Sequence, residues 1–221
     1  MFKQSILALG LTLSTAAALS QPAVEYEVTI TNITPGQTFT DQLVVVHPDS
    51  IQLFELGAEA SVPLEILAEA GDPARLIQAV SDVAMDVEVI PGLLAPGETA
   101  SIKVTGHPSK GYISLAAMLI PTNDTFVALN KVRLPRSGTA TYMVPAYDAG
   151  TEINDQNCLN MPGPVCGGEG YSEEPGEGFV HIGNGFHELG DDPDVLGPQV
   201  YDWRNSVARI TVKRSNGRTN R

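Results

Sequence analysis

The sequence predicts an all-β protein, an antiparallel β-sandwich with two short inserted helices and a long loop rich in glycine and proline. Three observations carry that prediction. Short apolar or alternating runs recur from residue 24 to residue 214. Turn signals separate them at Pro91-Gly92, Pro96-Gly97, Lys110-Gly111, Thr122-Asn123 and Ser137-Gly138. The helical patterns between them are too short to build a bundle. With 221 residues and 43% hydrophobic content, the chain is long enough for one domain with a full core, and no internal repeat or linker divides it.

The elements follow in order. Lys3, the apolar "ILALGLTL" and the small residues of "STAAALSQ" predict a secretory signal over residues 1–20, cleaved after Ser20, and a secreted or periplasmic location. No cysteine follows the apolar stretch, so no lipid anchor is expected, and no later run of 18 apolar residues predicts a membrane span. "VEYEVTITNITPGQ" alternates as a strand and ends in a Pro-Gly turn, and "QLVVVH" is a more continuous strand. "SVPLEILAEAG" predicts a helix with Ser61 as cap, Leu64, Leu67 and Ala68 on one face and Gly71 as stop. "DPARLIQAVSD" predicts a second, with Asp72 as cap and Pro73 at its first position. "MDVEVI", "TASIKVTG", "GYISLAAMLI", "FVALNKVRL" and "GTATYMVPAYD" are strands, with spacing that indicates a sandwich or barrel. Residues 153–178 form the long loop, "GFVHIG" is one more short strand, "NSVARITVKR" closes the sheet, and 215–221 is a tail.

Charge narrows the function. Without the leader, 26 acids stand against 12 Lys and Arg, a net charge of −14. That sign opposes nucleic acid and anionic membrane surfaces unless cations bridge the contact, and it suits a compartment rich in calcium. Cys158 and Cys166 enclose "LNMPGPV", and in an oxidising compartment a disulfide is the expected use. The other use, a two-cysteine metal site, lacks neighbours at zinc-ligand spacing.

"VPAYDAGTEIND" places Asp148, Glu152 and Asp155 within eight residues, and "IPTNDTF" places Asp124 just after a long strand. Calcium takes six to eight oxygens, several of them carboxylates on flexible loops, and sandwiches gather such loops at one end. Gly150 lets the backbone curl so that Asp148 and Glu152 point the same way. The competing reading is a set of solvated turns, and for Asp155 and Asn154 the turn is preferred.

The pairing of "LIPTNDTFV" with "PAYDAGTE", followed by a last strand "VARITVKR", resembles the spondin amino-terminal domain of F-spondin and mindin, also found as stand-alone bacterial secreted proteins. The resemblance spans roughly residues 24 to 214. It implies an antiparallel sandwich of about eight strands, similar to C2-type modules, with a bound Ca2+ ion. The metal ligands it implies are Asp124, Asp148 and Glu152; at the last place the animal members carry Asp. The thrombospondin-type repeats and the reeler-type domain of the animal proteins are not among these residues, nor are the helical region 61–80 and the 153–178 loop part of the animal pattern. The animal partners are therefore not carried over.

The expected function is a secreted calcium-binding adhesion or recognition module, meeting an extracellular glycan, a matrix component or a cell-surface protein, without catalysis. A structural envelope or matrix protein with a loop-stabilising metal, and a metal-dependent hydrolase, are the alternatives. No GxSxG elbow or Cys-His pairing is present. His181 and His187 in "HIGNGFH" lack a third ligand at a telling distance and are expected to pack or face solvent. Trp203 in "YDWRN" is expected to anchor the start of the last strand, over the alternative of a sugar platform.

Overall fold

In the strand Val24–Asn32 (β1), Tyr26, Val28 and Ile30 are fully buried while the residues between them are half-exposed, so one face requires an apolar layer against it. The structure, a computed structural model, describes residues 22–172, 175–187, 194–204 and 206–215. The expected signal over 1–20 and all but Ser215 of the expected tail lie outside those residues. β1 pairs with Thr99–Gly106 (β5) on one side and Ala208–Arg214 (β11) on the other, and Thr139–Val144 (β8) completes a four-stranded sheet in the order β5-β1-β11-β8.

The second sheet runs in the order His181–Ile182 (β10), Ala146–Asp148 (β9), Thr125–Arg133 (β7), Tyr112–Ile120 (β6), Gln42–His47 (β3) and Asp86–Ile90 (β4). Thr38–Phe39 (β2) pairs with β6 off this path. All of these ladders are antiparallel. Among the described residues, eight of the strands have five or more residues, and the remaining three are two- or three-residue pieces. The chain is thus an all-β sandwich, as its patterning predicts.

β6 is buried at every position because both faces of its sheet are covered. On one face Ile113, Leu115, Ala117 and Leu119 meet Val28, Ile30, Ile210 and Val212 in the core between the sheets. On the other, Ala116, Phe126 and Ala128 meet Leu64, Leu67 and Ala68 of the helix Val62–Ala70 (α1) and Leu76 of Ala74–Val80 (α2). This double cover explains why "YISLAAMLI" is apolar on both faces, with Ser114 its one polar residue, while β1 alternates.

α1 stops at Gly71, whose backbone is left-handed (φ 68°) and whose N–H bonds the Leu67 carbonyl at 3.0 Å. Ser61 occupies the expected cap position with extended backbone, but its hydroxyl makes no cap hydrogen bond. Ahead of α2, Pro73 stands just before the first helical residue, and the Asp72 carboxylate accepts the Ala74 N–H at 2.9 Å. Asp72→Ala is expected to lower stability by about 1 kcal/mol in urea denaturation.

One expectation is corrected. "GTATYMVPAYD" reads as one strand but forms two, β8 and β9, in different sheets. Pro145 has no N–H for a ladder, and the chain changes sheet there: Val144 stands opposite Ala208, and Ala146 opposite Val127. A short helix at Pro198–Tyr201 (α3) is additional to the two expected. No described helix is long and apolar enough to cross a membrane.

The 153–178 loop contains a 3-10 turn at Cys158–Asn160 and the Cys158–Cys166 disulfide, and buries Met161. Asp155 serves this turn, its carboxylate accepting from Asn157 N and Asn160 Nδ2, both at 2.9 Å. Replacing Cys158 and Cys166 together by Ser is expected to cost about 2.5 kcal/mol, read as a lower denaturation midpoint that reductant no longer changes.

Candidate metal centre

Asp124 lies in the hairpin connection between β6 and β7, and Asp148 is the last residue of β9. β9 runs antiparallel to β7 with Asp148 opposite Thr125, so ladder register brings the two acids to the same sheet end. Ala149 N donates to the Asp124 carbonyl at 3.2 Å, joining the two segments. Asp124, Asp148 and Glu152 are 0%, 1% and 4% exposed.

Asp124 Oδ2 accepts the backbone N–H groups of Thr151 (2.8 Å) and Glu152 (3.1 Å) and the Thr151 hydroxyl (3.2 Å). Its other oxygen, Oδ1, is buried with no hydrogen-bond partner. Burial pushes the Asp124 carboxyl well above the ordinary carboxylate range, and the Asp148 charge raises it further against the pull of the two amides. Asp148 is also raised by burial, moderated by His181, Asn154 and the Gly150 N–H. Two neighbouring acids that burial holds above the ordinary carboxylate range, the charge of one raising the other, are a costly arrangement without a cation or a proton.

Gly150 makes this turn possible. Its φ is 68°, and a Cβ there would stand 2.2 Å from the Phe179 carbonyl oxygen. The 175–182 segment therefore lies directly on "DAGTE": Gly178 N donates to the Gly150 carbonyl at 2.7 Å.

Glu152 meets Asp124 through its backbone, while its carboxylate is engaged with the long loop. Its backbone N–H serves Asp124, while its carboxylate accepts the Ser172 hydroxyl at 2.7 Å through Oε1 and keeps Oε2 buried and unpartnered. Ser172 N donates to Glu69 Oε2 at 2.9 Å, so α1 and the long loop meet over two carboxyl groups. Burial first, then the charges of Glu69, Asp155 and Glu169, push Glu152 up to about 7 against the Ser172 hydrogen bond. Glu69 is raised by burial and lowered by the Ser172 N–H and the Thr151 hydroxyl.

Two residues that the sequence does not join to Asp148, His181 and Glu177, stand beside it. His181 faces Asp148 across the β9–β10 ladder, with Nε2 3.4 Å from Asp148 Oδ1 and 4.0 Å from Glu177 Oε2. Asn154 Nδ2 donates to both acids, to Asp148 Oδ2 at 2.9 Å and Glu177 Oε1 at 2.8 Å. One ligand atom from each of Asp148, Glu177 and His181 lies within 4.8 Å of the others. His187 does not join this group through its backbone, which donates to Gln156 Oε1 at 2.7 Å.

The buried, unpartnered Oδ1 of Asp124 beside a second buried carboxylate fits a hard divalent cation. No curated protein matches the chain. The family model Spondin_N matches residues 29–155, more than half of the sequence, from within β1 through Asp124, Asp148 and Glu152. On that match, over a two-sheet antiparallel fold, the chain belongs to the spondin N-terminal domain family.

Proposed function

We propose that this chain is an extracellular spondin-type recognition module, non-catalytic, whose loop end holds Ca2+ through Asp124, Asp148 and Glu152. The observation that carries it is the Asp124–Asp148 pair: two buried carboxyl groups on adjoining segments, with one oxygen left without a donor. A bound cation would offset that desolvation and repulsion and fix the turn on which the acids sit. Thr151, Gly150 and the Glu152 amide already orient Asp124 and Asp148, so little ordering would remain to be done at binding.

The recognition part draws on a groove of about 840 Å³ beside β9 and β10. Ile182, Phe186, Trp203 and Arg204 line it. Trp203 is half-buried against the core between the sheets and meets Phe186 edge-on at 6.0 Å. An apolar, aromatic wall bordered by the Arg204–Asp202 ion pair (2.9 Å) suits a carbohydrate or peptide segment of a matrix or cell-surface partner. Thermal melting of the purified protein with Ca2+ and with chelator tests the metal, and glycan-array binding repeated in chelator tests its link to recognition. An unchanged melting temperature would remove the calcium, and array binding indifferent to chelator would separate the two functions.

A further inference from the structure

We propose that Asp148, Glu177 and His181 form a second cation site, distinct in its ligand set from the Asp124 group, that takes a nitrogen-accepting divalent ion of the zinc class. The proposal needs neither Asp124 nor Glu152 and goes beyond the calcium assignment; Glu177 and His181 also lie outside the family match.

The histidine carries it. His181 Nδ1 is 3.0 Å from the Ile182 carbonyl oxygen, which can only accept, so the ring proton sits on Nδ1. In the neutral ring Nε2 is then a lone pair, and Nε2 is buried with no hydrogen-bond partner. A lone pair pointed at two carboxylate oxygens is repulsive unless something positive lies between them. The separations, 3.4 Å to Asp148 Oδ1 and 4.0 Å to Glu177 Oε2, exceed N–H···O hydrogen-bond lengths. The shorter is already that of two ligands of one ion: donors at about 2.0–2.2 Å in a tetrahedral shell stand roughly 3.3–3.6 Å apart, and Glu177, an exposed side chain whose ligand atom lies within 4.8 Å of the other two, moves inward to complete the set.

The outer contacts have the form that metal sites use. Nδ1–H to a backbone carbonyl fixes the ring's tautomer and orientation. Asn154 holds the two carboxylate oxygens not offered to the ion, and Gly150 N donates to Asp148 Oδ1 at 2.8 Å. Two carboxylates and an imidazole match the charge and softness of Zn2+, Co2+ or Mn2+, whereas Ca2+ favours oxygen throughout. Glu177 is 36% exposed and His181 20%, which leaves a fourth position open to water or to a ligand carboxylate.

The test uses the full mature protein, stripped with chelator and dialysed, and titrates Zn2+ alone by calorimetry and Co2+ by visible absorption. Expected are stoichiometric Zn2+ uptake and Co2+ bands of nitrogen ligation. In His181→Gln the affinity for Zn2+ should fall by more than the roughly 10- to 100-fold that loss of an outer-shell partner costs. Glu177→Gln, a change at an exposed side chain, should weaken Zn2+ binding with an unaltered circular dichroism spectrum and keeps the test valid if His181→Gln misfolds. Wild-type protein that takes up no Zn2+, or equal Zn2+ affinity in Glu177→Gln and His181→Gln as in wild type, would overturn the site and leave His181 as an ion-pair partner of Asp148. A failed calcium assignment shows separately, as an absent Ca2+ response in wild type that still binds Zn2+.

Discussion

Asp124→Asn is expected to raise the melting temperature of the calcium-free protein above neutral pH and to abolish the gain that calcium gives the wild type. The amide oxygen can keep the Thr151 and Glu152 N–H bonds now made by Oδ2. Its nitrogen takes the place of Oδ1, the oxygen that is buried without a partner, and brings a donor to the neighbourhood of the Asp148 charge. Wild type at a calcium concentration about 100 times its dissociation constant gains about 2.7 kcal/mol, or roughly 5–10 °C for a chain of this size. The variant should show none of that gain. Differential scanning calorimetry of both proteins, with calcium and with chelator, reads both effects; a variant that loses stability in chelator, or still responds to calcium, contradicts the placement of the ion.

The second large effect is on pH. Asp124, Asp148, Glu69 and Glu152 are all raised in the folded state, Glu152 from 4.5 to about 7. A group whose folded pKa lies above its unfolded one binds protons more tightly when folded, so its contribution is complete below the unfolded pKa and is lost as pH rises through the folded pKa. Stability of the calcium-free protein should therefore fall between about pH 4.5 and pH 7, by on the order of 3 kcal/mol for Glu152 alone. Calcium competes with those protons for the same oxygens and should flatten the fall, so that its stabilisation is larger at pH 8 than at pH 5. Urea denaturation across that range, with and without calcium, gives both slopes. A calcium-free protein that becomes more stable from pH 5 to pH 8 would contradict the buried state of these carboxyl groups.

Most of the long strands and the two helices α1 and α2 are legible because each is announced locally. Alternation in "VEYEVTITN", the nearly continuous apolar run "YISLAAMLI" and the stop at Gly71 need no knowledge of distant residues. The pairing of Asp124 with Asp148 is suggested in the sequence by loops gathered at one end of a sandwich and by the family resemblance, but its cause, antiparallel register between β7 and β9, is hidden by the break at Pro145. Glu69 was illegible for a different reason. It follows the apolar face of α1 and reads as a surface acid, but Ser172, 103 residues later, covers it. His181 and Glu177 are illegible as a group with Asp148 because no third ligand stands near "HIGNGFH" in the chain; His181 meets Asp148 across a ladder, 33 positions away. Ladder partners are set by tertiary register, which single-sequence periodicity does not contain.

The change of sheet at Pro145 has a mechanical result. Asp148 is three residues from Pro145, and immediately before it Val144 is hydrogen-bonded into the opposite layer through β11. Any ion that clamps Asp148 therefore also clamps the seam by which the two layers are stitched together. Loading at one rim would stiffen the molecule as a whole, and strain applied to the last strand by a tethered partner would be felt at the ion.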